Sequence, residues 1–308
     1  MKVISLNGNF KPSLKKTCAA IGIFDGVHRG HQYLIKQMLI CARRLKLKPI
    51  IITFFPHPAH VLKPDMKFGY LTSLKDRFSL LSDLGIATCV VVRFNQSFSR
   101  VPPQKFIKNI LVDKLGVKAI FVGDAFRFGK DRSGDIGLFQ KLASLYGYEM
   151  HAVPALKNGG QIISSTRIRQ LIGEGKLNEA SRFLGRRVSV GGIVVKGSQR
   201  GKSLGFPTAN VAYESDIFPP QGVYVVRVLL GRKEYPAIAN LGTRPSFDKQ
   251  ISKLYLEVHI LDFSKNIYGK RLKVSFLKKI RSEKKFTSPQ ALIQQIQKDE
   301  VWARKYFV

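Results

Sequence analysis

The sequence predicts two successive domains of different class: a parallel α/β sheet covered on both faces, then a small antiparallel β-barrel or sandwich closed by a terminal helix. Three observations carry this reading. Continuous apolar runs alternate with helix-like runs as far as Pro154, and strands buried on both faces are what a helix-covered parallel sheet requires. After about residue 184 the chain changes to strand-like segments separated by turn signals, the pattern of an antiparallel barrel or sandwich. A length of 308 residues suits two domains, and the boundary is placed in "FLGRRV", giving domains 1–184 and 185–308.

The first strand is "TCAAIGIF" (17–24), followed by helical apolar spacing from Gly30 to Arg44. "KPIIITFF" (48–55) is a β-branched strand, "LTSLKDRFSLLSDLG" (71–85) a helix stopped by Gly85, and "ATCVVVRF" (87–94) a third strand. "PPQKFIKNILVDKLG" (102–116) opens with proline and ends with glycine, the asymmetry expected of a helix. "VKAIFVG" (117–123), a helix over 136–147 and "YEMHAVP" (148–154) complete five strands. In such sheets ligands sit at the carboxyl ends of the strands, so the loop after 17–24 is at the binding edge. In the second half "RRVSVGGIVVKGS", "GVYVVRVLLGRKEYPAIANLG", "KLYLEVHILDF" and "KRLKVSFLKKI" read as strands, and a last helix opens at Ser288–Pro289.

Composition narrows the classes. The chain is 44% hydrophobic and 23% charged, ordinary for a globular protein. It has no apolar run of about 18 residues to span a membrane, and its start lacks a signal-peptide h-region. Cys18, Cys41 and Cys89 lie far apart in apolar surroundings, which predicts reduced core thiols and a cytoplasmic protein rather than a disulfide frame or a zinc site. The formal net charge of +32 attracts polyanions. Lysine and arginine are nevertheless spread along the chain instead of forming the stripe or tail of a nucleic-acid face, so small-molecule ligands are expected and nucleic acid is not. No sequence signal specifies an oligomeric state.

The loop "GIFDGVHRGHQ" (22–32) places His28 and His31 three residues apart at a helix start. That spacing puts them on one face, beside free N–H groups and the positive end of the helix dipole. Gly30 lets a ligand approach the backbone. Such a site stabilises phosphate charge, as adenylyl transfer needs. "ISSTRIRQLIGEG" (162–174) offers Ser164, Ser165 and Thr166 as caps. Its Arg167 and Arg169 in a first turn oppose the dipole unless polyphosphate binds there. His57, bracketed by prolines, reads as structural.

In the second half, Gly197, Gly201 and Gly205 recur every four residues, which serves either a phosphate-wrapping loop or ordinary turns. "GFPTAN" adds Pro207 as a stiffener, with Thr208 and Asn210 on one side of an extended stretch, a donor pair suited to Mg²⁺ with ATP. Glu257 stands in an otherwise apolar strand with His259 on the same face; it is either edge-exposed or a general base. "ANLGTRPSF" supplies Arg244.

These motifs resemble the bacterial bifunctional riboflavin kinase/FAD synthetases. "GIFDGVHRGHQ", "TFFPHPAHVL", "VGDAFRFGKDRSGD" and "ISSTRIR" occur in the family's order, followed by "GKSLGFPTAN", "GVYVV", "ANLGTRPSF", "LEVHILDF", "YGKRLKV" and "KKIRSEKKF". The resemblance implies a Rossmann-like HxGH nucleotidyltransferase followed by a riboflavin kinase barrel. It implies that His28 and His31 stabilise ATP phosphates, with Gly22, Phe24, Asp25 and Gly30 around them and Ser164, Thr166 and Arg167 on the triphosphate. Asp124, Phe126 and Phe128 are implied to meet the flavin, with Arg244 on the flavin of the second half. Gly197, Gly201, Lys202, Gly205 and Pro207 are implied to bind ATP, Thr208 and Asn210 Mg²⁺, and Glu257 the proton of the ribityl 5′-hydroxyl. The expected substrates and products are riboflavin, FMN, FAD and ATP.

Two positions depart from the family pattern. Ser246 stands where the family often has Thr. Ala125 stands where it has Asp or Asn, with Asp124 one residue earlier; in an extended segment that shift turns the carboxylate to the opposite side. The alternative readings are a riboflavin kinase with weak or lost adenylylation and, more remotely, a nucleic-acid binder on an enzyme fold.

Overall fold

A computed structural model of the chain describes residues 1–6, 14–66, 69–197, 204–244 and 253–307. They form two compact units, Met1–Gly69 with Leu74–Ser165, and Tyr70–Ser73 with Thr166–Val308.

The first unit is built on β1 (Lys2–Leu6), β2 (Thr17–Ile21), α1 (Arg29–Arg44), β3 (Lys48–Phe55), α2 (Pro58–Leu62), α3 (Leu74–Asp83) and β4 (Thr88–Arg93). These are followed by α4 (Gln96–Ser99), α5 (Pro103–Lys105, continued by π-type turns over Phe106–Lys114), β5 (Val117–Gly123), α6 (Ile136–Tyr146), β6 (Glu149–Val153) and a short hairpin of β7 (Lys157–Asn158) and β8 (Gln161–Ile162). The six long strands pair in parallel in the order β1-β4-β3-β2-β5-β6. Strand β1 is absent from the sequence reading: five residues with only Ile4 and Leu6 buried give too short a pattern. One face packs Leu34, Ile35 and Met38 of α1 and Leu81 of α3 against Cys18, Ala20, Ile51 and Cys89. The other packs Phe106, Ile107 and Leu111 of α5 and Phe139 of α6 against Ile21, Ile52, Val90 and Ile120.

Two local expectations are corrected. The strand expected over 17–24 ends at Ile21, because Phe24 and Val27 take positive φ (54° and 38°) and turn the chain. The helix expected over 102–116 begins as Pro103–Lys105 and continues with wider, π-type turns over Phe106–Lys114, where Leu115 N–H donates to the Ile110 carbonyl five residues back. The three thiols are free and buried, as expected. Burial, reinforced by Cys41, pushes the Cys18 thiol far above its ordinary range. Burial alone takes Cys89 to about 12, against an opposing pull from Arg77; these two are core fillers, not nucleophiles.

Strand β2 is the topological switch point. The chain runs from it to β3 and β4 on one side, then returns to β5 on the other. The crevice at the carboxyl ends of β2 and β5 is where an open α/β sheet leaves room for a ligand, and it receives the loops 22–28 and 124–129.

The second unit contains α7 (Ser165–Gly173), α8 (Leu177–Leu184), β9 (Ser189–Val195), β10 (Ala209–Tyr213), β11 (Gly222–Leu230), β12 (Lys233–Arg244), β13 (Lys253–Ile260), β14 (Arg271–Arg281) and α9 (Pro289–Phe307). The strands close into a barrel, β10-β13-β12-β11-β14-β9, completed by β9 against β10. Of barrel and sandwich, the closed form is therefore the one adopted. Alternation sends Tyr224, Val226, Ala239, Leu256, Val258 and Phe276 inward. On the outside, Val223, Val225 and Ile238 meet Ala303, Trp302 and Phe307 of α9. The Ser288 hydroxyl caps that helix by accepting from Ala291 N–H at 3.2 Å.

Helix α9 is also held by charge. Arg281 donates through Nε to Asp299 at 2.9 Å and through its NH2 group at 2.8 Å, and Gln295 adds a bond at 2.9 Å. Asp299 is buried, so its removal strands a largely desolvated guanidinium. Asp299→Ala is expected to cost about 3–5 kcal/mol, read as a lower urea midpoint for the barrel unit with unchanged slope.

Candidate active sites

The first site begins with a strained loop. After β2 the chain takes positive φ at Phe24, Gly26 and Val27 (54°, 78° and 38°), costly for a β-branched residue. What holds it is Arg77 of α3, with 0% of its surface exposed. One nitrogen donates to the Ile23 carbonyl at 3.0 Å, the other to Asp25 Oδ1 at 3.4 Å. Ser165 Oγ adds a bond to the Asp25 carbonyl at 2.9 Å, so this serine ties the loop instead of capping α7. Arg77 escaped sequence reasoning because an arginine in an amphipathic helix reads as solvated. Asp25, 2% exposed, turns its carboxylate to Arg77.

The loop delivers the histidines. His28 is the N-cap of α1, its Nδ1 accepting from His31 N–H at 3.4 Å. The two imidazoles stack at 3.6 Å and 17°, and Phe24 meets His31 edge-on at 5.2 Å. Gly30 is explained by this pair: a Cβ there would lie 3.2 Å from the His28 ring. Likewise a Cβ on Gly22 would press the Phe24 ring at 3.3 Å.

Both rings line a cavity of about 540 Å³. Gly22, Phe24, His28, Gly30, His31, Ser164 and Ser165 are on its lining, together with His57, Asp124, Ala125, Phe126 and Phe128. Part of the lining is aromatic: Phe126 and Phe128 stack at 5.7 Å, and Phe128 touches Phe106 at 5.6 Å and Phe139 at 4.4 Å. His57 caps α2 by accepting from Ala59 N–H at 3.0 Å.

The segment through Asp124 is not extended, which corrects the reading of the Ala125 departure. Phe126 N–H donates to the Gly123 carbonyl at 3.0 Å, making Asp124 and Ala125 the centre of a turn. The Asp124 carboxylate accepts from Ala155 N–H at 3.1 Å and so ties the ends of β5 and β6. Thr166 and Arg167 occupy the first turn of α7, in the second unit.

The second site lies on the outer wall of the barrel. Register places Asn210 of β10 and Asn240 of β12 on either side of Glu257 on β13, so all three side chains share the outward face. Asn240 Nδ2 donates to Tyr255 Oη at 3.0 Å, and Tyr255 donates to Glu283 at 3.0 Å. Burial, the bond to Glu283 and the Glu283 and Glu257 charges push Tyr255 up to about 12. Gly197 has no room for a side chain: its Cβ would fall 2.1 Å from the Asn210 amide nitrogen. Gly205 turns with φ 85°. Beyond it His259 Nδ1 donates to the Pro207 carbonyl at 2.9 Å, pinning the stretch before Thr208 to β13. Gly201, Lys202 and Ser246 lie outside the described residues, and Arg244 ends β12 paired with Lys253.

A parallel sheet with a histidine pair at its switch point, joined to a closed barrel with an acid on its outer wall, defines a two-site enzyme of the nucleotide-transfer class. Family comparison agrees: residues 10–167 match FAD synthetase and residues 184–307 match riboflavin kinase. The chain is 38% identical over 309 aligned positions to a bifunctional riboflavin kinase/FMN adenylyltransferase of Escherichia coli K12, covering 100% of this chain and 98% of that one. It is also 38% identical to the protein of that name from Listeria monocytogenes, over 94% and 91% of the two chains. A crystal structure described as a macrolide-efflux protein from Streptococcus pneumoniae superposes with a TM-score of 0.85 at 32% identity, covering 98% of each chain. The chain belongs to the bifunctional riboflavin kinase/FMN adenylyltransferase family. Among the described residues no helix is long and apolar enough to cross a membrane.

Arg77 supplies the test of this geometry. Arg77→Met leaves the Asp25 carboxylate buried without its partner and is expected to cost about 3–5 kcal/mol in chemical unfolding of the first unit. It should weaken FAD formation while leaving FMN formation intact.

Proposed function

We propose that the two units carry out successive steps. In the barrel unit the ribityl 5′-hydroxyl of riboflavin attacks the γ-phosphorus of ATP; the bond to the β-phosphate oxygen breaks and ADP leaves with FMN as product. In the sheet unit an FMN phosphate oxygen attacks the α-phosphorus of a second ATP, and pyrophosphate leaves as FAD forms. The observation that carries the reading is the cavity at the switch point, whose lining combines stacked imidazoles with phenylalanines. The first suits phosphate charge and the second a flat aromatic ring.

In the adenylylation site His28 and His31 stabilise the charge that builds on the α-phosphate. Phe126 and Phe128 receive the isoalloxazine, and Asp124 fixes the turn that presents them. Ser164 adds a hydroxyl at the cavity. Thr166 and Arg167 keep their reading as triphosphate residues on the motif alone. Gly22, Phe24, Asp25 and Gly30 shape the loop. The turn at Asp124–Ala125 accommodates the departure at Ala125, which therefore does not argue for a lost adenylyltransferase.

In the kinase site Glu257 accepts the hydroxyl proton. Thr208 and Asn210, with ATP phosphates, offer the hard oxygen donors that Mg²⁺ takes, and Gly197 leaves the space that the Asn210 amide fills. Bound there, Mg²⁺ would neutralise phosphate charge. Gly201, Lys202, Gly205 and Pro207 keep their reading as ATP residues and Arg244 as a flavin residue on the motifs alone. The division of labour is 1–184 for adenylylation and 185–308 for phosphorylation. The buried free thiols support a cytoplasmic setting, and the dispersed charge supports small-molecule ligands over nucleic acid.

The test separates the sites. With riboflavin, ATP and Mg²⁺, the chain is expected to yield FAD by way of FMN on chromatography. His28→Ala and His31→Ala should each lower FAD formation by about 10²–10³ and leave FMN formation unchanged. Glu257→Gln should lower riboflavin phosphorylation by about 10²–10⁴, while supplied FMN is still adenylylated. Survival of both activities in these variants would refute the assignments.

A further inference from the structure

We propose that Cys41, Glu149 and His151 form a binding site for a borderline-soft divalent cation of the Zn²⁺ class, separate from the histidine pair of the same unit. Cys41 is on the last turns of α1; Glu149 and His151, two apart on β6, share the face turned to it. One ligand atom from each lies within 4.8 Å of the other two. The site is 13 residues along α1 from His28, roughly 20 Å at the helical rise.

The geometry points to a cation because both contacts of His151 converge on one atom. His151 Nε2 is 4.0 Å from Cys41 Sγ and 3.0 Å from Glu149 Oε2. A single N–H cannot serve both neighbours well, whereas an ion between the three serves all of them. Zn²⁺ with ligand distances of 2.0–2.3 Å needs ligand atoms roughly 3.3–3.6 Å apart, and the two distances from Nε2, 3.0 and 4.0 Å, bracket that range. Thiolate, imidazole and carboxylate are Zn²⁺ donors, and the thiolate disfavours Mg²⁺. His151 is already oriented, stacked on Phe121 at 4.3 Å and 12°, which fixes the ring without engaging Nε2.

The site is also reachable. Cys41 is buried, but the Glu149 and His151 side chains are 47% and 34% exposed, leaving a fourth position open to water. Arg44, 3.5 Å from Glu149 on a 66% exposed side chain, is the competing charge, and it can swing into solvent when a cation takes its place. Cys18, the other nearby thiol, donates to the Met38 carbonyl at 3.6 Å and stays outside the ligand set. The composition-based expectation of no zinc site rested on the absence of paired cysteine spacing; these ligands come from positions 41, 149 and 151 and carry no motif.

The experiment titrates the full chain, freed of metal by chelator dialysis and kept free of nucleotide, with Co²⁺. One equivalent is expected to bind with thiolate-to-cobalt charge-transfer absorption, which Zn²⁺ abolishes by displacement and which Cys41→Ser lacks. His151→Gln and Glu149→Gln, at partly exposed positions, should each weaken Co²⁺ binding at least about fivefold. The proposal is overturned by absence of the charge-transfer band in the unaltered chain, by a band that survives in Cys41→Ser, or by less than a fivefold loss in either glutamine variant. If Cys41→Ser does not fold, the two glutamine variants decide.

Discussion

A guanidinium shut away from water fixes the loop on which the first site depends. Phe24, Gly26 and Val27 hold φ values that an unsupported chain would leave, each non-glycine outlier costing about 1–3 kcal/mol. The Arg77–Asp25 pair and the bond to the Ile23 carbonyl hold them in place. Breaking the pair costs comparable energy because it leaves the other charge uncompensated in a buried place. Remove it and the loop keeps neutral ties, such as Ser165 to the Asp25 carbonyl and Gln32 to the Val27 carbonyl, but loses the charged one that helps deliver His28 to the N-cap of α1, where its ring both caps the helix and stacks on His31.

The two units make room for polar side chains differently. In the sheet unit the topology creates the room: order reversal at β2 opens a crevice at the ends of β2 and β5, and the loops there supply imidazoles and phenylalanines. In the barrel unit the interior is filled by side chains such as Tyr224 and Phe276, so the polar row stands on the outer wall. There, neighbouring strands bring Asn210, Glu257 and Asn240 into one row from positions far apart in sequence.

Most of the fold was legible because its signals are local. Buried parallel strands such as Lys48–Phe55 announce themselves as unbroken apolar runs, and Gly147 or Gly185 stop helices with left-handed φ. The His28–Gly30–His31 spacing is equally local. What the sequence hid depends on contacts between distant segments. Arg77 looks like a surface arginine until Asp25 and Ile23 are placed beside it. The turn at Asp124 is closed locally by Phe126 and Gly123, but the anchoring of its carboxylate by the Ala155 N–H, thirty-one residues on, is invisible in the sequence. Strand β1 has only two buried residues, and it is ordered by pairing with β4, more than eighty positions away.

The strand order also governs how the chain reaches this structure. The central pairing of the sheet joins Thr17 to Val117 and Ala20 to Phe121, so the ladder at the switch point closes a loop of about a hundred residues. Barrel pairs such as Leu230 with Lys233 are made across a hairpin. Loop closure of that size slows folding and leaves apolar strands uncovered until the far partner exists. On a ribosome, β2 must wait for β5 to emerge before its second edge is paired, while in the barrel the β11–β12 hairpin can zip as soon as it appears and closure waits for β14 to reach β9. The apolar edge of the first half that waits longest for its partner is therefore the β5 side of β2, the very edge at which the sheet reverses its order.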